Sequence, residues 1–252
     1  MSLSLRQTEI LSLAQARGAV TVEDLASRFG VTAQTIRRDL GELCETRHLA
    51  RVHGGAVLPT GSANIAYGAR RALAAEAKER IARHVARLIP DNASVLLNIG
   101  TTTEAIAREL VSRRGLLVLT NNLNIATILS NAEGVEVIVA GGRLRKADGG
   151  LIGDDTAAMI RRFRVDMAVI GASALDEDGT ILDYDMDEVR VSRAILENAR
   201  AITLAVDHTK FGRSAPVRIG NVSEIDRIVT DAPPPSRFAE HCAATETLVE
   251  IA

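Results

Sequence analysis

Apolar residues in the first part of the chain recur at helical spacing; further on they gather into short unbroken runs. Leu3, Ile10, Leu11 and Ala14 lie near a 3.6-residue period that stops at Gly18. Val22, Leu25, Ala26 and Phe29 mark a second helix, with Thr21 and Asp24 in a capping arrangement at its start and Gly30 at its end. Thr32 caps a third helix, in which Ile36, Leu40 and Leu43 form one buried stripe. The tail HLARVHGGAVL places two short apolar strands around Gly54-Gly55, a hairpin signal.

Beyond PTGSANIAYGAR the rhythm changes. SVLLN (94–98) runs into IGTTT and the helix EAIARELV. GLLVLT (115–120) runs into Asn121-Asn122 and LNIATILS. VEVIVA (135–140) ends at Gly141-Gly142. VDMAVIG (165–171) follows a helix expected over 154–163, AITLAVD (201–207) follows one over 187–198, and IDRIVTD (225–231) precedes APPP. Near-continuous apolar strands alternating with helices predict an α/β unit with a mostly parallel sheet covered on both faces. The expected organisation is a small head of three helices and a hairpin over 1–58, a linker over 59–74 and a larger domain over 75–252.

Composition narrows this picture. Of 252 residues 46% are apolar but only 2% aromatic, so the core must be aliphatic. No run approaches the roughly 18–20 apolar residues a bilayer crossing needs. The opening MSLSLRQTEILSLAQ lacks the basic start and apolar stretch of a leader, so a cytoplasmic protein is expected. Cys44 and Cys242 show no redox or ligand spacing, and neither metal nor cofactor is expected. Net charge is −2, and residues 1–58 hold seven arginines against six acidic residues. Any affinity for nucleic acid must therefore come from a few placed arginines rather than a basic field.

The third helix offers that placement. With Ile36, Leu40 and Leu43 buried, Gln34, Thr35, Arg37, Arg38 and Gly41 lie on or beside the open face. A second helix packed on a short turn can enter a major groove, where glutamine pairs with adenine, arginine with guanine, and threonine meets a thymine methyl or a phosphate. Thr32 and the free N–H groups beside it suit a phosphate, and Arg51 and His53 in the hairpin suit the backbone or minor groove. This is the winged form of helix-turn-helix. The residues alone leave open a small three-helix bundle with Arg37 and Arg38 as a solvated face, paired to Asp39 or Glu42.

The second region collects polar groups where its strands end, the position at which open parallel sheets bind ligands. Gly100, Thr101, Thr102 and Thr103 suit a phosphate, and Lys210, one of only three lysines, follows the strand ending at Asp207. Asn98, Asn121, Gly141, Asp187 and Glu188 could meet hydroxyls. Taken singly each has an ordinary alternative: a helix cap, a turn, first-turn charges or a solvated lysine. Their shared position at strand ends favours a small phosphorylated polyol. GGRLRKADGG (141–150) is expected to be a loop, either ordering over a ligand or lying on the surface.

RQTEILSLAQARG, LASRFGVTAQTIRRDLGEL and RVHGGA resemble the DNA-binding half of the DeoR family of bacterial repressors. NIGTTTEAIA, TNNLNIA, AGGRLR, GGLIG, FRVDMAVIG, DEVRVSRAI and VDHTKFGR resemble its sugar-phosphate-sensing half. The resemblance implies a winged helix-turn-helix joined to a domain similar to ribose-5-phosphate isomerase. It also implies a homo-oligomer, dimeric or tetrameric, bound to operator DNA. LRKADGGLIG, DHTKFGRSA and TDAPPP narrow it to members released by sn-glycerol 3-phosphate or a similar phosphorylated polyol. The recognition segment carries over to 32–39, the phosphate loop to 100–103, and the rest of the pocket to Asn121, Gly141, Asp187, Glu188 and Lys210. Other members often have aspartate where Asn98 stands, which favours a sensor over a sugar-phosphate isomerase using Lys210 with Asp187 or Glu188.

Overall fold

The computed structural model describes residues 4–17, 19–46, 48–52, 54–57 and 67–252. Leu3, Gly18, His53, Leu58 and residues 59–66 of the expected linker lie outside them. The chain divides into two units, 1–73 and 74–252. Among the described residues no helix is long and apolar enough to cross a membrane.

The first unit holds α1 (Leu5–Arg17), β1 (Ala19–Thr21), α2 (Val22–Phe29), α3 (Ala33–Glu45), β2 (Ala50–Val52), β3 (Gly55–Val57) and α4 (Tyr67–Ala72). The helix boundaries follow the expected caps. Thr21 Oγ1 accepts from Asp24 N at 3.2 Å, Thr32 Oγ1 accepts from Thr35 N at 3.3 Å, and Gly30 takes the left-handed conformation that ends α2 (φ 62°). Ile36, Leu40 and Leu43 bury one face of α3 against Ile10, Leu25 and Ala56. The hairpin forms, and β1, which the apolar pattern was too short to reveal, adds to it in the order β1-β3-β2. Gly55 is required by that addition, because a Cβ there would strike the carbonyl oxygen of Val20. The short helix α4 occupies part of the stretch expected as linker.

In chain order the second unit runs through α5 (Ala75–Leu88), β4 (Ser94–Leu97), α6 (Thr101–Glu109), β5 (Leu116–Thr120), α7 (Leu123–Leu129), β6 (Val135–Val139), β7 (Arg143–Arg145), β8 (Gly150–Ile152), α8 (Asp154–Ile160) and β9 (Val165–Ile170). It continues with β10 (Ala174–Leu175), β11 (Thr180–Asp183), α9 (Met186–Glu197), β12 (Ala199–Ala205), β13 (Val217–Asn221), β14 (Arg227–Thr230), α10 (Ser236–Ala244) and β15 (Leu248–Ile251). Seven strands form one sheet in the order β15-β14-β12-β9-β4-β5-β6, every neighbouring pair parallel. One face packs on α5 and α6 through Ile81, Val85, Ile106 and Leu110; the other packs on α8, α9 and α10 through Ile160, Val191, Ile195 and Phe238. Strand order reverses between β4 and β9, which pair through Leu97 and Val169.

Three features depart from the sequence reading. The stretch 141–150 is no loop: Arg143–Arg145 and Gly150–Ile152 pair as an antiparallel ribbon. A second small sheet, β10-β11-β13, flanks the first, built from strands too short or too polar to show in the pattern. β15 closes one edge of the main sheet after the APPP segment.

Replacing Gly55 with alanine is expected to destabilise the first unit by about 1–3 kcal/mol, since a backbone carbonyl cannot move aside cheaply. Urea unfolding followed by circular dichroism measures the loss.

Candidate functional site

On α3, Gln34, Arg37 and Arg38 are exposed and Thr35 is half-buried. Arg51 on β2 is exposed too, and its guanidinium lies 3.8 Å from where a Cβ on Gly41 would be. The hairpin arginine therefore borders the open face of the helix. Of the predicted DNA contacts, only His53 falls outside the described residues.

Two carboxylates set the orientation of this helix, and the sequence reading did not single them out for that. Asp39 is buried and accepts from Arg6 of α1 (Nε–Oδ2 2.5 Å, Nη2–Oδ1 3.3 Å). Glu42 accepts from Gln7 of α1 (2.6 Å) and from Arg38 (3.2 Å). The Arg38–Glu42 pair is exposed and contributes little to stability. The Arg6–Asp39 pair is half-hidden and ties α1 to the middle of α3. A depression of about 700 Å³ opens between Ser4, Gln7, Gln34 and Arg38 on this face, lined by polar residues that include Asp39 and Glu42.

In the second unit the predicted residues gather along the carboxyl edge of the sheet but divide into two kinds. Some serve the fold. Asn98, 1% exposed, donates to Ser192 Oγ of α9 (3.0 Å) and accepts from Ile99 N (2.7 Å). The Thr103 hydroxyl bonds the carbonyls of Asn98 (2.7 Å) and Gly100 (2.8 Å), so it staples the turn rather than facing a ligand. The Gly141 carbonyl accepts from Thr156 (2.8 Å). Asp187 pairs with Arg143 of the ribbon and with Arg190 (3.2 Å).

Others stand where helices begin along the same edge. Thr101 and Thr102 form the first turn of α6, which leaves the sheet at the β4–β9 reversal. α5 runs back along the sheet to enter β4, so its first turn lies at the same edge, and α5 and α6 pack side by side. Lys78, on the first turns of α5, is 5% exposed. Burial pushes the Asp207 carboxyl up, but the charges of Lys210 and Lys78 and hydrogen bonds from Thr209 more than reverse that and leave it below its ordinary value. Two of the chain's three lysines thus act on one buried carboxylate. Lys78 was missed by the sequence reading, although a lysine three and four residues before Ile81 and Ala82, in an otherwise apolar stripe, was a visible signal.

Facing α9, Arg145 of the ribbon binds Asp148 (2.6 and 2.9 Å), Asp185 (2.9 Å) and Glu188 (2.5 Å). Asp185 also caps α9, accepting from Asp187 N and Glu188 N. Burial opposes the guanidinium charge, yet the carboxylates hold it firmly protonated. The Asn121 amide nitrogen donates to Leu151 of the ribbon (3.0 Å). Among the described residues the buried side-chain oxygens without a hydrogen-bond partner are Asn121 Oδ1, Asp207 Oδ2 and Thr230 Oγ1. All three stand where strands of the main sheet end, the place where such sheets receive small molecules.

Residues 6–61 match the model of the DeoR-like helix-turn-helix domain, and residues 73–232 that of the DeoR C terminal sensor domain. The chain is 47% identical over 235 residues to the glycerol-3-phosphate regulon repressor of Escherichia coli (strain K12), covering 93% of each protein. It is 44% identical over 230 residues to the glycerol-3-phosphate regulon repressor of Haemophilus influenzae, covering 91% of this chain and 90% of that one. Among solved structures it is similar to ribose 5-phosphate isomerase A from Methanocaldococcus jannaschii, at 16% identity and TM-score 0.42 over 56% of each chain.

Arg38→Ala is expected to weaken binding to a cognate duplex by about 1–3 kcal/mol, read by fluorescence anisotropy. Loss of preference at one base pair marks a base contact; a uniform loss marks a phosphate contact. Asp207, held below its ordinary value of 3.8, stabilises the fold above that pH, and its contribution fades as pH falls through the lowered folded value. Asp207→Asn should flatten the acid limb of a urea-midpoint profile below about pH 4.

Proposed function

The chain belongs to the DeoR family and is a DNA-binding transcriptional repressor; from that premise we propose that it controls glycerol-3-phosphate catabolic genes in the cytoplasm. Its inducer is sn-glycerol 3-phosphate, bound at the carboxyl edge of the second unit. The observation that carries this reading is the convergence of Lys78 and Lys210 on buried Asp207 at the edge where the first turn of α6 begins. Both ammonium groups act on that carboxylate, and the N–H groups of the first turn of α6 add a positive end to the same edge. A phosphate suits such a place. The names of the relatives supply the rest: two of them are glycerol-3-phosphate regulon repressors.

In this reading Gln34, Thr35, Arg37, Arg38 and Arg51 meet operator DNA, with Thr32 at a phosphate. The working form is a homo-oligomer, because a single recognition helix spans too few base pairs to define an operator and paired heads read paired half-sites. The ligand binds the DNA-competent state more weakly than the other, so operator affinity falls by the same coupling factor. A coupling of about 1–3 kcal/mol lowers operator affinity some 5- to 150-fold.

Anisotropy of labelled operator DNA, titrated with sn-glycerol 3-phosphate, tests this. Release is expected at millimolar ligand or below, and undiminished binding would sink the inducer assignment. Lys210→Met, Lys78→Met and Thr102→Val should each retain operator affinity and lose release by about tenfold or more in ligand concentration.

A further inference from the structure

The two sides of the carboxyl edge carry opposite electrostatic character. On the side of α5 and α6, Ala205 packs in the same layer as Ile81 and Ile106, and Asp207, two residues beyond the end of that strand, lies where Lys78 and Lys210 act on it. On the opposite side, Leu119 packs in the layer of Val191 and Ile195, and Asn121, two residues on, leaves toward α9 and the ribbon. There one guanidinium, Arg145, faces the three carboxylates of Asp148, Asp185 and Glu188. Asp148 and Glu188 are 2% and 9% exposed, so water screens their charge poorly, while Asp185, 32% exposed, is partly screened. Asn121 is wholly buried; with its amide nitrogen spent on Leu151, its oxygen is an acceptor without a donor beneath the ribbon.

We propose that this ribbon–α9 side determines specificity. It accepts only the hydrogen-bond-donating, uncharged tail of a phosphorylated polyol and rejects compounds whose tail bears a second anionic group. The inference rests on the effector reading above and adds a rule to it. A hydroxyl gives Asn121 Oδ1 its missing donor and suits the excess of carboxylate acceptors. A carboxylate or second phosphate offers no donor and meets like charge in a poorly screened space, a combination that penalises the wrong ligand more than it helps the right one. Arg145, already shared among three partners, is not available to neutralise it. The ribbon is held close over this space: Gly150 lies against Ile99, where a Cβ would come within 2.5 Å of its side chain, and Leu123 N donates to the Gly149 carbonyl at 2.9 Å.

The test uses isothermal titration calorimetry on the full chain with two probes, sn-glycerol 3-phosphate and L-3-phosphoglycerate, which share their configuration at C2. The second keeps the phosphate and chain length but replaces the terminal hydroxymethyl group with a carboxylate. The first is expected to bind about 100-fold more tightly. Asp185→Asn preserves the helix cap, since asparagine caps as well as aspartate, and Glu188→Gln preserves shape. Each variant should narrow the ratio by about tenfold, mainly through better binding of the acid. Using both keeps the test valid if one variant melts early by circular dichroism. Equal affinities in the unaltered chain, or a ratio unchanged in the folded variants, would overturn the rule while leaving the phosphate site in place. Absence of binding by both probes would overturn the effector reading and this inference together.

Discussion

A parallel strand pair cannot be joined by a tight turn; the chain must return over one face of the sheet before the next strand begins. In the second unit all seven strands of the main sheet obey this rule, and the order of strands reverses between β4 and β9. Connections there leave in opposite directions, the arrangement that opens a crevice at the carboxyl edge of such sheets. The polar groups at strand ends follow from that constraint. Asn98 and Thr103 are used to shape the turn leaving β4, while Asn121 and Asp207 are left with unmatched oxygens on either side of it. The ribbon and α9 close over one side and the first turns of α5 and α6 over the other.

The first unit solves a different problem. The helix we propose as the DNA reader, α3, must be held rigid on a domain with a core of modest size. The apolar stripe of α3 fixes its rotation, and Arg6 and Gln7 of α1 fix its tilt through Asp39 and Glu42. The chain has no large basic field to hold DNA indiscriminately, so this orientation bears more of the work of recognition than charge does.

Much of this could be read from residue patterns. Thr21, Gly30 and Thr32 punctuate the head as their chemistry requires, and long aliphatic runs such as VDMAVI and AITLA leave little doubt about strands covered on both faces. What stayed hidden depended on partners distant in sequence. Arg145 looks like one more surface arginine until Asp185 and Glu188, some forty residues away, are placed beside it. Asp39 looks like a solvated charge until Arg6 reaches it. The ribbon was unreadable because its polar and glycine-rich composition is that of a loop; its order comes from Asn121, Asn124 and α9 rather than from its own pattern. Conversely, Asn98 and Thr103 carried a clear local signal, but the fold spends their polar atoms on itself.

The scarcity of lysine has a practical consequence. Of the three, Lys78 is buried and Lys210 half-buried, while Lys146 is exposed at the turn of the ribbon. Acylating reagents that modify accessible amines on most proteins at many positions would find, among the described lysines, one open side chain, and it sits on the element that closes over the crevice. A dye attached there would follow the ribbon's surroundings, so the composition of the chain supplies an optical reporter at the place where its movement would be of most interest.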